Sequence, residues 1–192
     1  RSRFWPRIRN THKGDFGYVL IVGGSPGYSG AVNIAAQAAA RTGAGLVTVA
    51  YHEQGANVLD GRSPEIMAFD ITEADKLDDL LERASAVVLG PGLGTSEWSL
   101  DVLQKVLSAY KPTVLDADAL NLVAQEAIDL SELPVVITPH PGEAARLLGC
   151  QASDVQKNRF DALAQLIEKL GVVTVLKGAG SLIGGPDSAM TY

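Results

Sequence analysis

Short β-branched runs alternate with helical runs along the chain, and this alternation restricts the fold more than any other feature. The strand-like runs cover 18–22, 46–51, 66–69, 86–89, 113–116, 135–138 and 172–176. Most are continuous in apolar residues, the pattern of strands buried on both faces. Helical patterns fill the intervals at 30–42, 75–84, 97–109, 119–124, 142–148 and 153–170. Such alternation predicts an α/β domain, a three-layer sandwich with a mostly parallel central sheet between helices. A length of 192 residues suits one such domain and is short for two. Residues 181–192 read as a hairpin turning at Gly185-Pro186-Asp187. The sequence stops on the second strand of that pair, so the domain, 13–192, is expected to be C-terminally incomplete.

The distribution of charge bounds the partners. Net charge is −6, yet Arg1, Arg3, Arg7, Arg9 and Lys13 crowd the first thirteen residues without an acid among them. Residues 1–12 read as a solvated arm or linker rather than a phosphate contact, with Trp5 and Pro6 packing against something nearby. The acidic remainder argues against a nucleic-acid partner. No apolar run approaches the roughly 20 residues that span a bilayer, and no signal peptide opens the chain. A cytoplasmic protein with no membrane partner is expected, and the single Cys150 cannot form an internal disulfide.

Ligands of open α/β sheets bind beyond the carboxyl ends of the strands, so the segment after each strand is where chemistry is sought. Gly23-Gly-Ser-Pro-Gly-Tyr-Ser-Gly-Ala31 follows the first strand and reads equally as a structural turn or as a phosphate cradle at a helix start. Gly90-Pro-Gly-Leu-Gly94 follows the fourth, with Thr95 or Ser96 as a helix cap. Two glycine loops on one rim favour a nucleotide or an extended ligand. After the fifth strand, Asp118 is expected to cap a helix and Asn121 to bond within it. Asp116 can instead orient a magnesium-bound water or a substrate hydroxyl.

Thr138-Pro-His-Pro-Gly-Glu143 follows the sixth strand. Its two prolines hold His140 on a stiff, extended backbone, which favours an imidazole aimed at a ligand over one bonded to a neighbouring backbone group. Glu143 stays open between a site residue and a first-turn acid that complements the helix dipole. Lys177-Gly-Ala-Gly-Ser181 joins one cation to several N–H groups, a combination suited to phosphate. Lys13 is a further cation that can fold over the same rim. The scattered His12, His52 and His140 predict no metal cluster, and no serine or cysteine sits in a nucleophile elbow.

In their order, His12-Lys-Gly14, the 23–31 loop, Arg41-Thr-Gly-Ala-Gly-Leu-Val47, Ser63-Pro-Glu65, the 90–94 loop, Leu115-Asp-Ala-Asp-Ala-Leu-Asn121, His140-Pro-Gly-Glu143 and the 177–181 loop are jointly specific. The sequence resembles the C-terminal domain of the nucleotide-dependent NAD(P)H-hydrate dehydratases, of ribokinase-like fold. The resemblance implies a metabolite-repair lyase. NADH or NADPH hydrated at C6 of the nicotinamide ring would be restored at the expense of ADP or ATP, with Mg2+. It implies that Ala31, Gly94 and His140 line the hydrate pocket. It also implies that Lys177, Gly178, Ala179, Gly180 and Ser181 hold the nucleotide.

The chemistry is reasonable, because hydroxide leaves poorly and phosphorylation of the C6 hydroxyl makes a leaving group that the ring nitrogen can expel. Proteins mostly position groups and stabilise charge in such transfers. The family's glycine-rich anion hole and catalytic aspartate have no match before Tyr192, so that aspartate is expected beyond it. The chain alone is then expected to bind poorly and not to turn over. A fused epimerase domain ahead of Lys13 and a homo-oligomer are further expectations. Two alternatives remain, a kinase of the same fold acting on a vitamin-precursor alcohol and a non-catalytic nucleotide-binding module. The His140 and Ser29-Gly-Ala31 loops favour the dehydratase.

Overall fold

A computed structural model describes residues 9–25, 27–52, 63–73 and 75–191, with backbone alone for 188–190. Arg1, Arg3, Trp5, Pro6 and Arg7 of the basic arm, Pro26 of the first glycine loop and Tyr192 lie outside the described residues. In chain order the elements are β1 (Tyr18–Val22), α1 (Ser29–Thr42), β2 (Leu46–Tyr51), β3 (Met67–Asp70), α2 (Asp75–Arg83), β4 (Ala86–Leu89), α3 (Glu97–Ser108) and β5 (Thr113–Leu115). They continue with α4 (Asp118–Gln125), β6 (Val135–Ile137), α5 (Pro141–Leu148), α6 (Ala152–Lys157), α7 (Arg159–Leu170), β7 (Val173–Leu176), β8 (Leu182–Gly185) and β9 (Ser188–Thr191).

The strands form one sheet in the order β3-β2-β1-β4-β5-β6-β7-β8-β9. Pairing is parallel through β7 and antiparallel in the β7–β8–β9 meander, which turns at Pro186 and Asp187. The predicted α/β architecture therefore holds, and strand bounds agree to within a residue. Among the described residues no helix is long and apolar enough to cross a membrane.

Alternation within each strand sends side chains to two unlike layers. Leu20, Val22, Leu89, Leu115, Ile137, Leu176 and Leu182 face α2 to α7 and share one core with Leu103, Leu120, Leu147 and Leu163. Ile21, Val47 and Val49 face the other way, under Val32 and Ala36 of α1. The alanine-rich sequence of α1 lets its backbone lie close to the sheet. Each fully buried Leu or Val contributes about 1.5–3 kcal/mol of transfer free energy.

On the α1 side, the register aligns Val88, Val114, Val136, Val173 with Val175, and Ile183 across five strands. Only Val88 of this row packs with the α1 cluster. Val114, Val136 and Val175 are half-buried, while Val173 and Ile183 are 39% and 46% exposed.

Two expectations need correction. The single helix predicted over 153–170 is two, because Asn158 leaves helical space at φ −143° and ψ 84° and its side chain caps α7 by accepting from Asp161 N at 3.2 Å. Lys13 does not reach the ligand rim. It opens a short 3-10 turn, Lys13–Phe16, packed under the start of β2, where Gly45 N donates to Phe16 O and Gly17 O. That is the amino end of the parallel strands, opposite the carboxyl ends.

Candidate functional site

Parallel strands put every following loop on one edge, and here the loops are bonded to each other. Gly24 N donates to Pro91 O and Ser25 N to Gly92 O, and the Ser25 hydroxyl donates to Leu93 O. Asp116 N donates to Leu89 O, Thr138 N to Leu115 O and Lys177 N to Pro139 O. Glycine permits this closeness. A Cβ on Gly23 would overlap the Pro91 carbonyl, and one on Gly90, at φ +124°, would overlap that of Asp116. Both glycine loops are thus structural in part, whatever else they hold.

Ser96 caps α3, accepting from Ser99 N at 3.3 Å, as one of the two candidates was expected to do. Asp118 does not cap α4, contrary to expectation. The helix starts at Asp118 itself, after Ala117 at φ 48° with no side-chain cap. Its Oδ2 instead accepts from Gly94 N at 2.9 Å, tying the two loops together. Asn121 does bond within the helix, to Asp118 Oδ1 at 3.3 Å, and accepts from Arg146 at 3.0 Å.

His140 is the N-cap of α5. Its Nδ1 accepts from Gly142 N at 2.9 Å and Glu143 N at 3.3 Å, so the ring proton falls on Nε2, 3.1 Å from Glu143 Oε1. Glu143 is 5% exposed and closes the box by accepting from His140 N at 2.7 Å. The imidazole therefore has the local structural role that the sequence also allowed, while half of its side-chain surface stays open to the rim. The same arrangement recurs at the far end of the sheet. There His12 accepts from Gly14 N at 3.1 Å and Asp15 accepts from His12 N at 2.9 Å. In both, the glycine leaves room for the ring, since a Cβ would lie 2.8–3.0 Å from the histidine Cε1.

Lys177 completes this corner. Its Nζ is 2.6 Å from Asp116 Oδ1 and 3.9 Å from Glu143 Oε2. The Lys177 side chain is 40% exposed, so a donor direction remains open toward the rim. Residues 178–181 are exposed beside it. Arg159, which the sequence reading missed, grips that loop from the start of α7 through the carbonyls of Leu176, Ala179 and Gly180.

The predicted residues thus fall on one edge in two neighbouring groups. Ala31, exposed in the first turn of α1, adjoins the 90–94 loop through Tyr28, whose carbonyl lies against Gly92. His140 and Lys177 form the other group, and the 116–118 loop joins the two groups, Asp118 bonding Gly94 and Asp116 bonding Lys177. A recess of about 470 Å3 opens next to Gly94, lined by Thr95, Asn121, Ala124, Gln125 and Arg146. A groove of about 770 Å3 between α2 and α3 shares no residue with this edge. At the far end of the rim, two hydrogen bonds from Thr72, side chain first and backbone second, hold the Asp70 carboxyl below the usual carboxylate range. No His, Cys, Asp or Glu group among the described residues converges to hold a metal ion.

Residues 19–192 match the family model described as NAD(P)H-hydrate dehydratase. The chain is 50% identical to the bifunctional NAD(P)H-hydrate repair enzyme Nnr of Coxiella burnetii, covering 97% of this chain and 37% of that protein. It is 36% identical to the ADP-dependent (S)-NAD(P)H-hydrate dehydratase of Streptococcus thermophilus, covering 96% of this chain and 71% of that protein. The crystal structure of the ADP/ATP-dependent NAD(P)H-hydrate dehydratase of Bacillus subtilis, co-crystallised with ATP and Mg2+, superposes with a TM-score of 0.79 at 29% identity. It covers 96% of this chain and 66% of that one.

Proposed function

The chain belongs to the NAD(P)H-hydrate dehydratase family, and on that premise we propose that it takes part in the nucleotide-dependent dehydration of hydrated NADH or NADPH. It spans little more than a third of the bifunctional relative's length, 37%, so the reaction is proposed for the protein of which these residues form the dehydratase part. One observation carries the reading. Lys177, Asp116, Glu143 and His140 converge from three loops, and Asp118 links that corner to Gly94.

Lys177 and the N–H groups of the 177–181 loop would meet the phosphates of ADP or ATP, one as a point charge and the others as directed donors. Ala31, Gly94 and His140 would line the hydrate. Transfer of the terminal phosphoryl group to the C6 hydroxyl forms one P–O bond and breaks another, releasing the shortened nucleotide. The ring nitrogen's lone pair then breaks the C6–O bond, phosphate departs, and loss of a C5 proton restores the double bond. Asp116 is engaged by Lys177 and Asp118 by Gly94, so this reading gives neither the role of base. Magnesium would arrive on the nucleotide and keep most of its waters, the usual mode for phosphate-bound Mg2+.

The test supplies the full-length protein with hydrated NADH, ADP or ATP, and magnesium, and follows the absorbance of the reduced ring. Recovery of NADH with release of phosphate is expected. A stable phosphorylated alcohol without recovered NADH would assign a kinase instead.

A further inference from the structure

Arg159 has no part in the function proposed above, yet its guanidinium donates to the main chain at the end of β7 and in the nucleotide loop. Nη2 donates to Leu176 O at 3.0 Å, and Nη1 donates to Ala179 O at 3.1 Å and Gly180 O at 2.8 Å. All three acceptors are main-chain carbonyls. Its Nε is buried without an acceptor, so the charge sits partly desolvated. An unpaired buried N–H on a partly desolvated charge costs free energy, and the fold keeps it here beside the loop.

The geometry of the peptide unit says what this grip does. In a trans peptide, C=O and the following N–H point in opposite directions. Holding Leu176 O on Arg159 turns Lys177 N–H the other way, where it donates to Pro139 O at 2.8 Å. Holding Ala179 O and Gly180 O likewise turns the N–H groups of Gly180 and Ser181 away from the guanidinium. These residues are exposed, and neither N–H takes part in a described backbone bond. Gly180, at φ +73°, supplies the left-handed turn between them. Gly178 admits the guanidinium, since a Cβ there would lie 2.8 Å from Nη2 and 2.9 Å from Cζ.

We propose that Arg159 is a positioning residue for the nucleotide phosphates: it grips the 177–181 loop by its carbonyls so that the Gly180 and Ser181 N–H groups face the phosphate oxygens beside Lys177. The inference rests on the function proposed above and adds a residue that touches neither substrate.

The test compares Arg159→Lys and Gly178→Ala with the unaltered full-length protein, measuring nucleotide KM, hydrate KM and thermal midpoint. A lysine cannot reach three carbonyls, and an alanine at 178 pushes the guanidinium off from the other side. Both are expected to raise the nucleotide KM by about tenfold or more, while hydrate KM stays within about twofold; tenfold corresponds to ~1.4 kcal/mol. In Arg159→Ala, added guanidinium ion is expected to restore part of the nucleotide affinity. Equal rises in both KM values, or a lowered midpoint with both unchanged, would overturn the proposal. If the Arg159 variants do not fold, an unmoved nucleotide KM in Gly178→Ala overturns it alone. An unaltered protein with no nucleotide dependence sinks the function reading and this inference together, whereas a nucleotide-dependent one with unmoved variants sinks only this inference.

Discussion

Lys177 Nζ lies 2.6 Å from Asp116 Oδ1, joining two strand ends that are 61 residues apart in sequence. The pair fixes the ammonium at the rim but does not exhaust it. Lys177→Met is therefore expected to weaken ADP or ATP binding by about 10–150-fold, the range set by ~1.5–3 kcal/mol for a hydrogen bond to a charged group. Calorimetric titration checks this, and an unchanged affinity removes Lys177 from the nucleotide site.

His140 carries two roles that substitution can separate. His140→Ala removes the α5 cap and is expected to cost about 0.5–2 kcal/mol of stability, read from denaturant unfolding. His140→Asn keeps a capping acceptor and should recover most of that stability. Hydrate KM should stay elevated in both variants. If asparagine restores hydrate KM along with stability, the imidazole serves the fold alone.

Two glycines with positive φ should respond very differently to alanine. At Gly90 the new methyl would overlap the Asp116 carbonyl, whereas at Gly27, φ +84°, it meets nothing within 4 Å. Gly27→Ala is expected to cost about 1–2 kcal/mol, the left-handed penalty alone. Gly90→Ala should lose more than about 4 kcal/mol or fail to fold, because the 89–94 and 115–118 segments cannot separate without breaking the rim. Comparable unfolding midpoints for the two would contradict this packing.

Thr72 holds the Asp70 carboxyl below its ordinary range through its hydroxyl at 2.6 Å and its N–H at 2.8 Å. With the folded value depressed, this contribution to stability is complete above the unfolded carboxylate value, about 3.9. It is lost as pH falls through the lower folded value. Thr72→Val should move the Asp70 titration toward the ordinary value, as followed by NMR. A titration that does not move would show that the hydroxyl bond is not formed.

Much of the fold could be read directly because its strands are short apolar runs bounded by glycine, proline or aspartate, and α2, α3, α4, α5 and α7 repeat apolar residues on one face. Where the reading failed, the deciding contact was distant or the local signal was double. Asn158 sits in an otherwise helical pattern without glycine or proline. Its one signal was a capping side chain placed before Asp161. Asp118 looked like a cap because a short acid before a helix usually is one, yet its acceptor is spent on Gly94, 24 residues earlier. The backbone at His140 is extended, φ −78° and ψ 167°, as its prolines implied, but proline-flanked loops also suit a capping ring, and the sequence does not reveal that Nδ1 turns inward. Arg159 was invisible, since an arginine in a first helical turn reads as surface charge until its carbonyl partners are known.

The row from Val114 to Ile183 has a practical consequence for anyone handling this polypeptide. Water meets side chains there whose chemistry belongs to an interior, over four adjoining strands of one sheet. A surface of that kind takes up oily dyes and offers refolding molecules an alternative place to adhere. Concentrated samples of residues 1–192 alone should therefore lose material first through this flank, and charged substitutions at Val173 or Ile183 should keep them clear.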